Sequence, residues 1–103
     1  MHITHHFVNI TEGLQATILN ICHEHIQKMS ESYLKPFISK ENAENELIMH
    51  FEKNKQEKYE GRFEFLLDWA REKVIYTNDT PFKEPLDVAN HAFKRLKEHL
   101  AKK

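Results

Sequence analysis

The sequence predicts an all-α protein, a small bundle of three or four helices preceded by an extended N-terminal arm. Three long stretches carry apolar residues at helical spacing. Only two glycines, Gly13 and Gly61, occur in 103 residues, and the sequence has no Asn-Gly or Asp-Gly dipeptide. Because these residues make most tight turns between strands, their scarcity indicates few strands.

The length and composition favour a single domain. A chain of 103 residues and 12.4 kDa, with 40% hydrophobic and 30% charged residues, can form one modest core. We therefore interpret residues 1–103 as one helical domain.

The N-terminal part divides into an arm and a first helix. Residues 1–10 lack helical regularity and are expected to form an extended arm that docks on the bundle; an edge strand would need a partner that the sequence does not reveal. Asn9 or Thr11 can cap a helix that runs to about Leu34, because Pro36 disfavours helical geometry at the residue before it. The apolar stripe of this helix contains Leu14, Ile18, Ile21, His25 and Met29.

The middle of the chain, residues 40–77, allows two helical arrangements. One is a pair of helices with a turn near Gly61, and the other is a single long helix that is solvated at its centre. A break near Gly61 is favoured, because a continuous helix of this length is too long for so small a monomer to cover. The strongest helical period here is formed by Phe63, Leu66, Leu67, Ala70 and Val74.

The last helix is predicted to begin at Pro85, after a loop over residues 78–85. Proline fits the first helical turn, since its missing N–H would have no partner there. Apolar residues then recur at spacings of three and four, at Leu86, Ala89, Phe93, Leu96 and Leu100.

The sequence carries no signature of catalysis or of cofactor binding. No Ser/His/Asp order, glycine-rich phosphate loop or pair of catalytic carboxylates can be placed, so neither an enzyme nor a bound cofactor is expected. The apolar runs are shorter than the roughly 20 residues that cross a bilayer. A single cysteine, Cys22, excludes an internal disulfide and favours the reducing cytoplasm.

The eight histidines raise the alternative of a metal-binding or metal-sensing bundle. Cys22 and His25 are three residues apart on one helix, and His50 on a second helix could complete a shared site. The competing interpretation is that Cys22 and His25 are ordinary core residues, since both lie on the wide apolar face of this helix. We favour that interpretation, and no metal is predicted.

A basic C-terminal end raises a third possibility, contact with nucleic acid. Its cations are Lys94, Arg95, Lys97, Lys102 and Lys103. Cations also favour the negative end of a helix dipole, and the whole chain has a formal charge of −1, so nucleic acid is not the expected partner.

The favoured hypothesis is a small cytoplasmic protein-binding or regulatory protein that acts through a helical surface. Phe65, Trp69 and Tyr76 flank the strongest helical stripe and are the candidate contact residues, because aromatic side chains are enriched among interface anchors. They could equally fill the core. An aromatic content of 11% also predicts a homodimer or a higher oligomer.

Overall fold

The computed structural model describes residues 2–32, 45–67 and 71–101 and shows an α+β fold. The prediction of an all-α bundle is wrong: the region between the two helices forms three strands, and the N-terminal arm forms a fourth. The elements in chain order are β1 (His2–Val8), α1 (Glu12–Ser32), β2 (Glu46–Lys53), β3 (Tyr59–Leu67), β4 (Glu72–Thr77) and α2 (Pro85–Ala101).

The four strands form one mixed sheet in the order β1-β2-β3-β4. β1 pairs parallel to β2, so the chain must cross over between them, and α1 lies within this crossover. β2, β3 and β4 follow as an antiparallel meander. The N-terminal arm is therefore the edge strand whose partner the sequence did not reveal, and its partner is β2.

The turn between β2 and β3 explains why the missing glycines did not prevent strands. The side-chain Oδ1 of Asn54 accepts hydrogen bonds from the backbone N–H groups of Gln56 and Lys58, at 2.9 and 3.1 Å. Glu57 adopts the left-handed conformation, with a φ of 59°, that glycine more often supplies. The hydrogen bonds of the Asn54 side chain and the left-handed backbone of Glu57 thus form a turn that contains no glycine.

The two helices agree with the sequence in position. α1 begins after Thr11, whose Oγ1 accepts a hydrogen bond from the Leu14 N–H at 3.3 Å, which confirms Thr11 as the cap. The predicted end of this helix at Leu34 lies outside the described residues. α2 begins at Pro85 as predicted, and its buried residues are Val88, Ala89, Ala92, Phe93 and Leu96.

The core lies between the two helices and one face of the sheet. The Phe93 ring of α2 lies 5.2 Å from the ring of Phe65 and 6.4 Å from that of Phe63, both on β3. His25 of α1 stacks on the other side of Phe93, at 4.8 Å between ring centres. The sheet and the two helices therefore form two layers around one core, which also buries Ile18, Cys22, Met29, Leu47, Met49, Phe51 and Leu67.

Gly61 on β3 sets how closely α2 approaches the sheet. A Cβ atom at this position would lie 2.6 Å from Cγ1 of Val88, closer than two carbon atoms can approach. Glycine is required here by contact with the helix and not by a turn.

Neither helix in the described residues is both long and apolar enough to span a membrane.

Candidate functional site: the open face of the sheet

The face of the sheet that points away from the helices is the candidate site, and we call it the open face. Along each strand, side chains alternate between the core and this face. Its residues follow from the register and are His2, Thr4, His6 and Val8 on β1; Glu46, Ile48, His50 and Glu52 on β2; Glu60, Arg62, Glu64 and Leu66 on β3; and Lys73, Ile75 and Thr77 on β4. None of them is buried. No element in the described parts of the chain covers this face.

Apolar side chains gather on one part of the open face. Ile48 and Ile75 are 36% and 44% exposed, more than any other large hydrophobic side chain that the structure describes. Both lie in the same cross-strand row as Glu64, and half-buried Leu66 is diagonal to each of them. These three residues, Ile48, Leu66 and Ile75, form an apolar patch around one carboxylate.

A row of basic and imidazole side chains lies beside this patch. The register places His6, His50 and Arg62 side by side on β1, β2 and β3. The rings of His6 and His50 stack at 5.0 Å between centres. Arg62 Nη2 donates to Glu64 Oε1 at 2.9 Å, so the charge of this arginine is partly compensated.

Carboxylates outnumber fixed cations on the open face. Glu46, Glu52, Glu60 and Glu64 supply four negative charges, whereas Arg62 and Lys73 supply two positive ones, which leaves a net −2 when the histidines are neutral. Glu52 lies directly opposite Glu60 in the register. Like charges placed directly opposite one another are unfavourable within a sheet, and a cationic group of a partner would relieve this repulsion.

A shallow cavity of about 300 Å³ lies at the charged end of the face. It is lined by His50, Glu52, Glu60, Gly61, Arg62, Thr77 and Asn78. Within this lining, Asn78 is bonded to β3: its Oδ1 accepts a hydrogen bond from the Gly61 N–H at 2.8 Å, and its Nδ2 donates to the Tyr59 carbonyl at 3.2 Å. This side chain thereby extends the hydrogen bonding of the sheet one position beyond the pairing of Arg62 with Thr77.

The residues of the alternative metal site do not come together. Cys22 and His25 lie on α1 on the core side of the sheet, whereas His50 belongs to the open face. In the described residues, no three His, Cys, Asp or Glu side chains are grouped so that they could hold a metal ion. The sheet itself separates the residues that the sequence suggested as ligands.

Cys22 and His25 have structural surroundings. Cys22 is fully buried, and burial raises the pKa of its thiol to about 12. A thiol with so high a pKa is protonated at neutral pH and is a poor nucleophile and metal ligand. His25 shares a hydrogen bond between its Nε2 and Oδ1 of Asn90, at 2.8 Å, which joins α1 to α2.

The three aromatic contact candidates lie in different surroundings. Phe65 is fully buried and packs on Phe93, so its ring has no surface for a partner. Tyr76 is half-buried against Phe63, and burial together with the negative charge of Asp79 raises the pKa of its hydroxyl. Trp69 lies outside the described residues. A contact role for Trp69 and Tyr76 stays a prediction.

The open face was not predicted, because the apolar spacing in this region also fits a helix. Apolar residues do recur at every second position, at Leu47, Met49 and Phe51 and at Phe63, Phe65 and Leu67, which is a signal of strands. The apolar residues Ile48 and Leu66 at intervening positions obscure that signal. The cations of the basic end do not belong to this face: Lys94, Arg95 and Lys97 lie on α2, and Lys102 and Lys103 lie outside the described residues.

Comparison with known proteins finds no matching family model, no matching curated protein and no matching solved structure.

Proposed function

We propose that this chain is a small non-catalytic protein-binding module that contacts its partner through the open face. The observation that supports this proposal is the apolar patch of Ile48, Leu66 and Ile75 on a sheet face that the described helices leave uncovered. Exposed apolar side chains ringed by polar groups are typical of protein interaction sites. The helical contact surface expected from the sequence is thereby replaced by a sheet surface.

The charge of the open face indicates the chemistry of the partner. The net −2 around the patch favours a surface or segment that carries Lys or Arg side chains around an apolar centre. The same charge disfavours nucleic acid on this face, because phosphates would meet four carboxylates. It also opposes stacking of two open faces, so the homo-oligomer predicted from the sequence is not assigned to this surface.

A cytoplasmic location belongs to the same proposal. The single thiol, Cys22, is buried and has no disulfide partner, which suits a reducing compartment.

The experiment compares what the chain retains from a lysate of its host when the patch is altered. Immobilised parent, Ile48→Glu and Asn20→Glu proteins are incubated with the lysate, and retained proteins are quantified by mass spectrometry. Asn20 is exposed on α1, so its substitution adds the same negative charge away from the sheet. A set of proteins retained by the parent and by Asn20→Glu, and at least tenfold depleted for Ile48→Glu, is expected.

Circular dichroism melts of the three proteins establish that each is folded before retention is compared. If Ile48→Glu retains the same proteins as the parent in equal amounts, the open face is not the contact surface. Light scattering of the parent tests the predicted oligomer separately, and a particle of 12.4 kDa would overturn that prediction.

A further inference from the structure

The outer edge of β4 and the side of α2 next to it form a groove that shares Lys73 and Ile75 with the open face. β4 ends the sheet, and no described segment pairs with its outer edge. An edge strand presents unpaired N–H and C=O groups that can bind another extended chain.

A cavity of about 280 Å³ follows this edge. Its lining comes from Lys73, Val74 and Ile75 on the strand and from Arg95, Glu98 and His99 on the helix. A strand edge with a helix along one side is the geometry in which proteins bind extended peptides as an additional strand. We call this cavity the β4–α2 groove.

The helical wall of the groove is fixed to the strand. The Nε2 atom of His99 lies 3.0 Å from Oε2 of Glu72, which joins the end of α2 to the beginning of β4. Phe93, six residues earlier on the helix, is buried against β3. The groove is therefore held in shape before any ligand binds, which lowers the entropy lost on binding.

The charges in the groove select an acidic ligand. Neither Lys73 nor Arg95 forms an ion pair with any residue that the structure describes, and both are exposed. Glu98 is the single carboxylate in the lining. A second copy of this chain, paired through its own β4, would bring the same cations of both copies towards each other, so self-pairing is disfavoured.

We propose that the β4–α2 groove binds an extended acidic peptide segment of a partner protein, which joins the sheet as a fifth strand beside β4. Backbone hydrogen bonds to the edge hold the segment, and the alternation of side chains sets its preference. On the open-face side, an acid would lie next to Lys73 and an apolar residue next to Ile75. On the helix side, an acid would approach Arg95.

Fluorescence anisotropy at 150 mM salt tests this proposal with defined probes. The probe is an eight-residue labelled peptide that repeats Glu-Glu-Val-Val, so that each side of the added strand carries both Glu and Val. One comparison peptide repeats Lys-Lys-Val-Val, and the other is the Glu/Val peptide with its two central residues replaced by proline. Proline cannot donate to the edge and disrupts the strand. Saturable binding of the Glu/Val peptide alone is expected, and equal binding of the proline peptide would overturn strand addition.

Two substitutions with the same charge change separate the groove from general attraction. Arg95→Glu alters the groove, whereas Lys94→Glu alters the neighbouring exposed residue, which is not in the lining. We expect Arg95→Glu to raise the dissociation constant of the peptide at least tenfold and Lys94→Glu to change it less than twofold. Equal weakening by both variants would show that net charge, and not the groove, attracts the peptide.

A single-stranded oligonucleotide of equal charge distinguishes a peptide site from a polyanion site. Failure to displace the Glu/Val peptide at equimolar concentration is expected, because an oligonucleotide offers no backbone N–H groups for the strand edge. Full displacement would assign the groove to nucleic acid and overturn the proposal. Asn20→Glu, which adds a negative charge on α1 outside the lining of the groove, should leave peptide binding unchanged.

Discussion

The two faces of the sheet differ in what their side chains contribute. The core face carries Leu47, Met49, Phe51, Phe63 and Phe65, which are essentially inaccessible to solvent. The open face uses the intervening positions of the same strands for carboxylates, histidines and a small apolar patch. Neighbouring residues on a strand belong to opposite faces. Alternate residues of one strand therefore serve the stability of the core and the proposed recognition of a partner.

The largest test of this difference places the same charge first in the core that packs on one face of the sheet and then on the open face. Phe93→Asp is expected to unfold the protein, because an unpaired carboxylate buried among Phe63, Phe65 and His25 costs several kcal/mol, which is comparable with the stability of a small domain. Ile48→Asp on the open face is expected to cost about 1 kcal/mol or less. Thermal unfolding followed by circular dichroism measures both.

His91→Ala provides a helical control for this comparison, because His91 is exposed on α2 and its ring lies 5.0 Å from that of Phe82, which packs at the edge of the core. This variant should fold. Equal melting temperatures for Phe93→Asp and the parent would mean that the inward face of α2 is wrongly assigned.

A second test concerns the distance between α2 and the core face. In Gly61→Ala the new methyl group would collide with Val88 and Phe63, so we expect a loss of about 1–3 kcal/mol in the free energy of unfolding. Gly13→Ala is the matched control, because nothing lies within 4 Å of the added atom and alanine favours the helix. Urea unfolding should show the first variant destabilised and the second equal to the parent or slightly more stable.

A third test uses the pH dependence of stability to detect the burial of the Cys22 thiol on α1. The pKa of Cys22 is raised from 9.0 to about 12 in the folded chain, so above pH 9 the unfolded chain releases a proton that the folded chain retains. Stability is therefore fully present below pH 9 and is lost as pH rises towards 12. The expected loss from this thiol at pH 10 is about 1.4 kcal/mol.

Cys22→Ala lacks this contribution, so its unfolding free energy should fall less between pH 8 and pH 10 than that of the parent under reducing conditions. Tyr76, whose pKa is also raised, adds a decline in the same direction to both proteins. Parallel declines in the two proteins would contradict the burial of the thiol.

The smallest expected effect lies on the open face. Glu60→Gln removes the repulsion between the opposed carboxylates of Glu52 and Glu60 and should stabilise the fold by a few tenths of a kcal/mol. Because the repulsion is exposed to solvent, the gain should shrink in 0.5 M salt. A destabilised variant at low salt would indicate that Glu60 has a favourable partner in the folded chain.

The sequence was sufficient for the helices and insufficient for the sheet. α1 and α2 have continuous 3.6-residue patterns with recognisable starts at Thr11 and Pro85. In the middle region, Leu66 interrupts the alternation of apolar and polar residues, because it is apolar but faces outward. Together with Phe63 and Leu67 it produces the three- and four-residue spacing that is typical of a helix. Where a local pattern fits both a helix and a strand, tertiary contacts determine which of the two forms.

The candidate surfaces were still less predictable. The row of His6, His50 and Arg62 joins residues from three strands, and the β4–α2 groove joins residues from a strand and a helix that are 22 positions apart at Lys73 and Arg95. Neither arrangement leaves a motif in the sequence, because it depends on the register of the strands. The exposed polar side chains that form these surfaces have the same composition as an ordinary solvated face, so the sequence alone does not distinguish them.

β1 is an edge strand that pairs with β2, and this position affects how the chain avoids aggregation. β1 closes the edge of β2, whose run of Leu47, Ile48, Met49 and Phe51 is the kind of apolar segment that pairs with copies of itself when its edge is free. β1 is itself a polar outer strand with three histidines, His2, His5 and His6, and such strands are poor templates for further pairing. The seven residues of β1 thus cover this edge, and any event that detaches them exposes the apolar strand β2 to pairing with other chains.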